Sequence, residues 1–288
     1  APWHPTALAA GAAVAAGASV PDKHGAATCS SSSAAGRADG TRPDFSIVAR
    51  EPGSERRDLP IFASSPGMLQ FSREGMPDVT RQDLPNIPGA FLLRNVFSAT
   101  ECAQIIASSE AMGYTEDAPV SLARNIRHNE NCVWIADDDL NRVAFDRCLP
   151  YLPNTSDRLT QGRSPIGLNA RWRLYKYNKS DIFRPHTDGS WPGSGLDSRG
   201  RLVQDMYGDR WSLLTWVLYL NDDFEGGSTR FFLPDGVLQQ YAPQEVPAAQ
   251  GSVLCFFHGE HPLSPLHEGA LVTEGTKYIV RSDVLYTL

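Results

Sequence analysis

The chain has 288 residues, 41% of them hydrophobic, which is enough apolar material for one large β domain or two ordinary domains. Its formal net charge of −7 disfavours a surface that binds nucleic acid. No apolar stretch reaches the roughly 18 residues needed to cross a membrane, so the sequence predicts no membrane-spanning helix.

Five cysteines lie far apart in the sequence: Cys29, Cys102, Cys132, Cys148 and Cys255. Their number is odd and no C-x-x-C pair occurs, which favours reduced thiols over a disulfide framework or a zinc site. Reduced thiols in turn favour an intracellular compartment, either the cytoplasm or an organelle. Cys102, Cys148 and Cys255 have apolar neighbours and are predicted to be small core residues.

The N-terminal part of the sequence contains little that predicts a packed core. Residues 1–44 are rich in Ala, Gly and Ser, a composition that cannot bury enough apolar surface to offset chain entropy. We expect a disordered tail there, in preference to a Ser-rich, acid-poor targeting segment. Residues 45–85 contain prolines and charged clusters and predict an irregular arm with one strand at Phe45–Ala49. The main folded domain is expected to span residues 86–288.

Two helices are predicted in the first part of this domain. A capping box at Ser98–Glu101 begins a helix that Gly113 ends. Asp137–Asp139 begin a second helix, which the prolines at 150 and 153 end near Leu149. We expect both helices to support one face of a sheet.

From Leu168 onward the sequence changes to short apolar segments separated by glycines and prolines. The predicted strands are Asn169–Tyr177, Asp181–Asp188, Trp211–Leu220, Ser228–Leu233, Ser252–Phe257, Leu266–Val272 and Lys277–Tyr286. Many short, mostly antiparallel strands after two helices predict a mainly β domain of the α+β class, built on a jelly-roll barrel.

One of these strands carries a His-x-Asp pair, His186 and Asp188. Because alternate side chains of a strand share a face, the two can reach one point, whereas on a helix they would diverge by about 200°. Completed by a later histidine, the pair forms the 2-His-1-carboxylate set that holds non-haem Fe(II) and leaves positions open for substrate and oxygen. Zinc and manganese are alternative occupants of such a set.

The later histidine is expected to be His267, which is followed ten residues on by Lys277 across a Gly-containing turn. His258 and His261 are the competing candidates, but neither has a lysine at that offset. With its His-x-Asp pair, distal His and Lys, the segment Pro85–Leu288 resembles the 2-oxoglutarate- and Fe(II)-dependent oxygenases of the prolyl 4-hydroxylase type.

The resemblance implies a double-stranded β-helix (cupin-like) fold and a set of co-substrate contacts. Lys277 would pair with the far carboxylate of 2-oxoglutarate, and Tyr177, nine residues before the His-x-Asp pair, would hydrogen-bond to it. Thr229 lies in a G-G-x-T-x-F segment like that of the family and would donate its hydroxyl. Arg281 shares the strand face of Lys277 and would bind the same carboxylate or shape the substrate pocket. Six residues after Lys277 the family has Trp and this chain has Asp283, a departure in the second wall of the pocket.

Substrate contacts are expected at the mouth of the barrel. The Gly-rich connection at 189–210 is a candidate substrate lid, and the strand before the His-x-Asp pair has polar side chains on the face of Tyr177. The residues predicted to contact substrate are Trp191, Tyr175, Arg173 and Arg127, with Arg124 and Asn129 beside Arg127. The alternatives are core packing for the strand residues and a disordered insertion for the connection.

The activity that the resemblance implies is hydroxylation of a prolyl or other amino-acid residue in a peptide or protein, with release of succinate and CO2. Fe(II) at His186, Asp188 and His267, with 2-oxoglutarate and O2, would supply the chemistry, and ascorbate would act as reductant. Two alternatives stay open. One is a hydroxylase of a free amino acid or small metabolite, and the other is a catalytically silent jelly-roll module that binds metal or ligand.

Overall fold

A computed structural model describes residues 44–117, 126–235 and 240–288. The predicted tail at 1–44 lies outside these ranges except for its last residue. Within them, no helix is both long and apolar enough to span a membrane. The elements that precede the barrel are β1 (Phe45–Glu51), β2 (Leu59–Ser64), β3 (Thr80–Asp83), β4 (Phe91–Arg94), α1 (Ala99–Met112), β5 (Arg127–His128), β6 (Glu130–Ile135), α2 (Asp138–Cys148), two 3-10 turns (Leu149–Tyr151 and Arg158–Thr160) and β7 (Pro165–Leu168).

The N-terminal arm is more regular than the sequence indicated. The strand expected at Phe45–Ala49 is present, but the arm contributes two further strands, and all three belong to the large sheet. β2 runs parallel to β6, with Ile61 opposite Val133, and β3 pairs antiparallel with β4. Ile61 is almost fully buried. The arm therefore extends the sheet that supports the site.

Both predicted helices are confirmed, with their caps. Ser98 Oγ accepts from the backbone N–H of Glu101 (3.1 Å), and the Glu101 carboxylate accepts from the backbone N–H of Ser98 (2.8 Å). Asp137 caps α2. Arg147 of α2 donates to both carboxylate oxygens of Glu101 (2.9 Å each), which ties the helices together. Cys102, like the other cysteines of the described chain, is buried and free.

The C-terminal part consists of strands with short connections. Its strands are β8 (Arg171–Tyr177), β9 (Ile182–His186), β10 (Gly195–Leu196), β11 (Leu202–Val203), β12 (Arg210–Tyr219), β13 (Glu225–Gly226), β14 (Thr229–Asp235), β15 (Gln240–Val246), β16 (Val253–Phe257), β17 (Leu266–Gly269), β18 (Val272–Glu274) and β19 (Lys277–Thr287). The segment predicted as one strand at Leu266–Val272 is divided between β17 and β18, and β15 was not predicted.

Eight of these strands form a jelly roll. One sheet has the order β8-β19-β12-β16 and the other the order β15-β14-β17-β9, with antiparallel neighbours throughout. Strands that follow each other along the chain thus alternate between the sheets, except for β14 and β15, which pair within one sheet, and this is the strand order of a jelly roll. The predicted mainly β, double-stranded β-helix fold is confirmed.

The apolar core lies in two layers, one on each face of the large sheet. Between this sheet and the helices, the rings of Trp134, Trp172 and Trp216 follow one another at centroid distances of 6.0 and 5.8 Å. Inside the barrel, Phe231 and Phe256 pack edge to face at 5.2 Å. The Phe231 and Phe256 rings also lie against the ring of His267, at 5.9 and 4.7 Å.

Gly251 joins the barrel to the segment that begins α1, and we expect it to be intolerant of any side chain. Its carbonyl accepts from the N–H groups of Val96 and Phe97 (3.0 Å each), and its φ is +73°. An added Cβ would lie 2.0 Å from the Phe97 carbonyl oxygen. Gly251→Ala should lower the free energy of unfolding by at least about 3 kcal/mol, measured by urea denaturation.

Gly200 is the matched control, because its φ is +71° but nothing lies within 4 Å of its Cβ position. Gly200→Ala should cost only about 1 kcal/mol, the conformational part of the effect. Equal losses in the two variants would mean that backbone strain alone, and not the contact with Phe97, accounts for the effect.

Candidate active site

Three side chains that could ligate a metal ion converge at one end of β9. His267 on β17 lies directly opposite His186 at the end of β9, and Asp188 follows two residues beyond that end. One nitrogen of each imidazole and one carboxylate oxygen all lie within 4.8 Å of one another. The strand ends at His186 and not at Asp188, so the carboxylate reaches the cluster from the connection that follows the strand.

Hydrogen bonds fix which ring nitrogen of each histidine is free. Nδ1 of His186 lies 2.8 Å from the carbonyl of Arg184, and Nδ1 of His267 lies 3.1 Å from the carbonyl of Pro265. A carbonyl can only accept, so Nδ1 carries the proton and Nε2 keeps its lone pair. Burial lowers the pKa of His186 to about 4 and also lowers the pKa of His267. Both rings are therefore neutral at pH 7.

Asp188 is ionised and held by one of its two oxygens. Thr215 donates its hydroxyl to Oδ2 (2.7 Å), and Nη2 of Arg281 lies 3.3 Å from the same atom. Burial raises the pKa of Asp188, but Arg281 and the two imidazoles outweigh burial and hold that pKa well below its ordinary value. Oδ1 is left facing His186 Nε2 at 3.8 Å.

This donor set fits a divalent first-row cation such as Fe(II). Two neutral imidazoles and one carboxylate on one side, with hydrogen bonds that orient each of them, are the features that such sites share. The competing histidines have other contacts. His258 is buried between the hydroxyls of Thr215 and Ser212 (2.9 Å each), and His261 contacts the Leu159 carbonyl.

Lys277 lies deeper in the barrel and is 2% exposed. Its Nζ donates to the Gly227 carbonyl (2.5 Å) and lies 5.5 and 5.8 Å from the ring centroids of Tyr177 and Tyr219. Burial lowers the pKa of Lys277 to about 8. No acidic side chain of the described residues forms an ion pair with it. Burying an ammonium group without an anionic partner costs desolvation free energy, so this position fits a carboxylate ligand.

The other predicted co-substrate residues surround this lysine in part. Tyr177 lies opposite Lys277 on β8, and Thr229 Oγ1 is hydrogen-bonded to the hydroxyl of Tyr219 (2.7 Å). Sequence reasoning missed Tyr219, although strand alternation from Thr215 would have placed it on the interior face. Arg281 is on the same face, but its ion pairs are with Asp188 and Asp283, and it does not contact Lys277.

The predicted substrate residues form two groups beside the metal-ligating side chains. The Arg127 guanidinium lies over the rings of Tyr175 (4.6 Å) and Phe183 (5.0 Å), and Phe183 stacks on His186 at 3.6 Å. Phe183 was missed by the sequence reasoning. Arg127 Nε also donates to Asn129 (2.7 Å). Arg124 lies outside the described residues.

The second group contains Arg173 and Trp191. The Arg173 guanidinium lies 5.4 Å from the ring of Trp191, which is 42% exposed. Arg173 also lies 3.8 Å from Asp283, which is fully buried. The connection that carries Trp191 is ordered by short pairs, β10 with β11 and Pro192 with Trp211, so the alternative of a disordered insertion does not hold there.

A jelly roll with two imidazoles and a carboxylate at its mouth and a lone lysine in its interior is typical of the non-haem iron oxygenases. No protein-family model matches the sequence. Among curated proteins, the putative prolyl 4-hydroxylase of Acanthamoeba polyphaga mimivirus is 24% identical over 195 residues, which cover 66% of this chain and 71% of that protein. The resemblance found in the motifs thus has a counterpart over most of the domain.

Solved structures similar to this chain include three prolyl hydroxylases. The viral collagen prolyl hydroxylase of Paramecium bursaria Chlorella virus-1 in complex with 2OG has a TM-score of 0.41 and 16% identity, over 69% of this chain and 96% of that one. A Pseudomonas putida prolyl-4-hydroxylase has a TM-score of 0.44 and 19% identity, over 68% of this chain and 92% of that one. A Trichoplax adhaerens prolyl hydroxylase with a hypoxia inducible factor peptide fragment has a TM-score of 0.46 and 15% identity, over 70% of this chain and 84% of that one. The fold assignment itself rests on the strand order and register described above.

Proposed function

We propose that this chain is an Fe(II)- and 2-oxoglutarate-dependent dioxygenase that hydroxylates a prolyl or other amino-acid residue in a peptide or protein, releasing succinate and CO2. The observation that carries the proposal is the convergence of His186, Asp188 and His267 within 4.8 Å. The name of the mimivirus relative, a putative prolyl 4-hydroxylase, supports proline as the residue modified.

His186, Asp188 and His267 would hold Fe(II), through the two Nε2 atoms and the carboxylate. With 2-oxoglutarate and O2, the iron supplies the oxidising chemistry that inserts oxygen into an unactivated C–H bond. Ascorbate is proposed as the reductant that keeps the iron in its Fe(II) state. The surrounding protein would keep both imidazoles neutral and Asp188 ionised. It would orient the three side chains through their hydrogen bonds with the Arg184 and Pro265 carbonyls and the Thr215 hydroxyl.

Lys277 would neutralise the far carboxylate of 2-oxoglutarate. In a site this dry, a charge-assisted hydrogen bond is stronger than in water, because water does not compete for either partner. Tyr177, whose ring centroid lies 5.5 Å from Nζ of Lys277, and Thr229, which is hydrogen-bonded to Tyr219, would supply hydroxyl groups to the carboxylate. Arg281, which the sequence also assigned to this carboxylate, is better placed to act at Asp188.

Trp191 is our candidate for the principal substrate contact. It is a large, exposed aromatic side chain beside Arg173 at the barrel mouth, and aromatic surfaces bind proline-rich segments well. Trp191→Ala should raise KM for a peptide substrate about tenfold and leave kcat within about twofold, as expected for lost ground-state binding. Steady-state kinetics at saturating 2-oxoglutarate would measure both constants.

Trp211 offers a matched control, since it is 36% exposed and lies near the start of β12, where it pairs with Pro192 of the connection. Trp211→Ala should leave KM unchanged. If both variants raised KM equally, the effect would be a general disturbance of the connection, and Trp191 would lose its assigned role.

The test of the function itself is succinate release with Fe(II), ascorbate and 2-oxoglutarate, followed by mass spectrometry for products heavier by 16 Da. The panel should contain proline-rich peptides, other peptides, free proline and other free amino acids. Product on a peptide alone supports the proposal. Product on a free amino acid alone would favour the small-metabolite hydroxylase, and binding without turnover across the panel would favour a silent binding module.

A further inference from the structure

A buried network of charged side chains contacts Asp188, and the roles assigned so far leave one of its members, Asp283, without a function. Asp283 is fully buried, with Oδ1 3.1 Å from Nη2 of Arg281 and Oδ2 3.8 Å from Nη1 of Arg173. The same Nη2 of Arg281 lies 3.3 Å from Oδ2 of Asp188. One guanidinium therefore bridges two carboxylates, one of which belongs to the candidate metal centre.

Strand register explains how these groups meet. Arg281 and Asp283 are two residues apart on β19, so both side chains lie on its interior face. Arg281 pairs with Arg173 on β8, and Asp283 pairs with Thr215 on β12. Thr215 donates to Asp188 and also contacts Nδ1 of His258 (2.9 Å). The network is thus built from three adjacent strands of the rigid sheet, and it contacts the one ligand that reaches the site from outside a strand.

The charges in this network balance in pairs. Arg173 and Arg281 carry two positive charges, and Asp188 and Asp283 carry two negative charges. Without Asp283, two buried guanidinium groups would face a single carboxylate beside the cation site. Because interactions between buried charges are only weakly screened, such an excess would repel a divalent cation and attract an anion.

We propose that Asp283, acting through Arg281, positions Asp188 and sets the balance between cation and anion binding at the metal centre. Arg281 and Thr215 contact Oδ2, which also lies 3.7 Å from His267 Nε2, and this orientation leaves Oδ1 facing His186 Nε2 at 3.8 Å. Asp283 keeps Arg281 in place and cancels its excess charge. Both are positioning residues, and the proposal rests on the proposed function, because it presumes a divalent cation at this site.

Two single substitutions test the proposal by the opposite signs of their effects. Asp283→Asn should weaken Mn(II) binding roughly tenfold and strengthen 2-oxoglutarate binding to the Mn(II)-loaded protein roughly threefold. Arg281→Gln removes the opposite charge, while Thr215 still donates to Oδ2 of Asp188, so it should strengthen Mn(II) binding and weaken 2-oxoglutarate binding by similar factors. Isothermal titration calorimetry under anaerobic conditions measures both affinities without turnover, and the Co(II) absorption spectrum should shift in both variants as Asp188 reorients.

The double variant Asp283→Asn/Arg281→Gln keeps the balance of charge and should return both affinities to within about threefold of the wild type. If Asp283→Asn fails to fold, the affinities of the double variant can be compared with those of Arg281→Gln alone, and the test still decides. Glu101→Gln, which breaks the distant buried pair with Arg147, should lower stability but leave both affinities unchanged.

Two results would overturn the proposal: affinities for Mn(II) and 2-oxoglutarate that move in the same direction in either single variant, or a double variant no closer to the wild type than the single ones. Failure of the proposed function would be recognised separately. In that case the wild-type protein itself would show no Mn(II) binding that depends on His267, or would bind Mn(II) but release no succinate with Fe(II) across the panel.

Discussion

Replacing His267 with alanine is expected to remove divalent-metal binding and turnover together. His267 supplies one of only two neutral imidazole nitrogens in the cluster, and its Nε2 lies 3.7 Å from Asp188. Loss of a directly coordinating group should weaken metal binding by more than about 100-fold, since even groups that merely orient a ligand account for 10- to 100-fold. Mn(II) titration and succinate release measure the two effects.

The control must separate lost ligation from lost packing, because the His267 ring contacts Phe256 at 4.7 Å and Phe231 at 5.9 Å. His267→Gln keeps most of the side-chain volume and should still lose the metal. His261→Ala also removes an imidazole that stacks on an aromatic ring, Phe257, but outside the cluster, and should keep metal affinity. Metal affinity retained by both His267 variants would exclude His267 as a ligand.

Much of this site was predictable because its signals are local in sequence. The His-x-Asp spacing keeps His186 and Asp188 within two residues of each other, so both lie at the end of β9 although Asp188 is beyond the strand. The ten-residue offset links His267 to Lys277 through the short strand β18, and the capping box at Ser98 depends on four consecutive residues. In each case the groups lie within about ten residues of one another, so their proximity depends little on distant parts of the chain.

What the sequence did not predict depends on pairing between distant segments. The parallel pairing of β2 with β6 joins residues about seventy positions apart, and no local pattern indicates it. β15 is an edge strand that contains Pro243, and a proline argues against a strand unless its edge position is known. The contacts of Arg281 with Asp188 and Asp283 required the register of three strands, so the sequence could assign Arg281 only to the lysine that shares its face.

Lys277→Met should raise the free energy of unfolding and weaken the binding of 2-oxoglutarate. The ammonium group is buried with no acidic partner among the described residues, so replacing it with an apolar side chain of similar length removes a desolvation cost. Without co-substrate at pH 7, we expect the free energy of unfolding to rise by about 1–3 kcal/mol. The Kd of 2-oxoglutarate should rise about 10- to 100-fold, the range for a lost hydrogen bond to a charged group.

The pH dependence of stability gives a second check with a definite sign. Burial lowers the pKa of Lys277 from its ordinary value of 10.5 to about 8. Below pH 8 the folded and unfolded states therefore both carry the proton, and the wild type bears the full free-energy cost of burying the ammonium group. Between pH 8 and 10.5 the folded state releases the proton first, and the wild type gains stability relative to Lys277→Met. Urea denaturation at pH 7, 8.5 and 10 should therefore show the advantage of the variant shrinking as pH rises.

Co-substrate binding should depend on pH in the opposite way. A carboxylate binds the ammonium form, so the wild-type Kd for 2-oxoglutarate should increase as pH rises above 8, by up to about tenfold per pH unit. Lys277→Met has no proton to lose at this position and should show a weak, nearly constant Kd. Lys179→Met, which changes an exposed lysine paired with Glu274, should match the wild type in stability and in affinity. A Lys277→Met protein with unchanged affinity and an unchanged pH profile would move the co-substrate carboxylate away from this lysine.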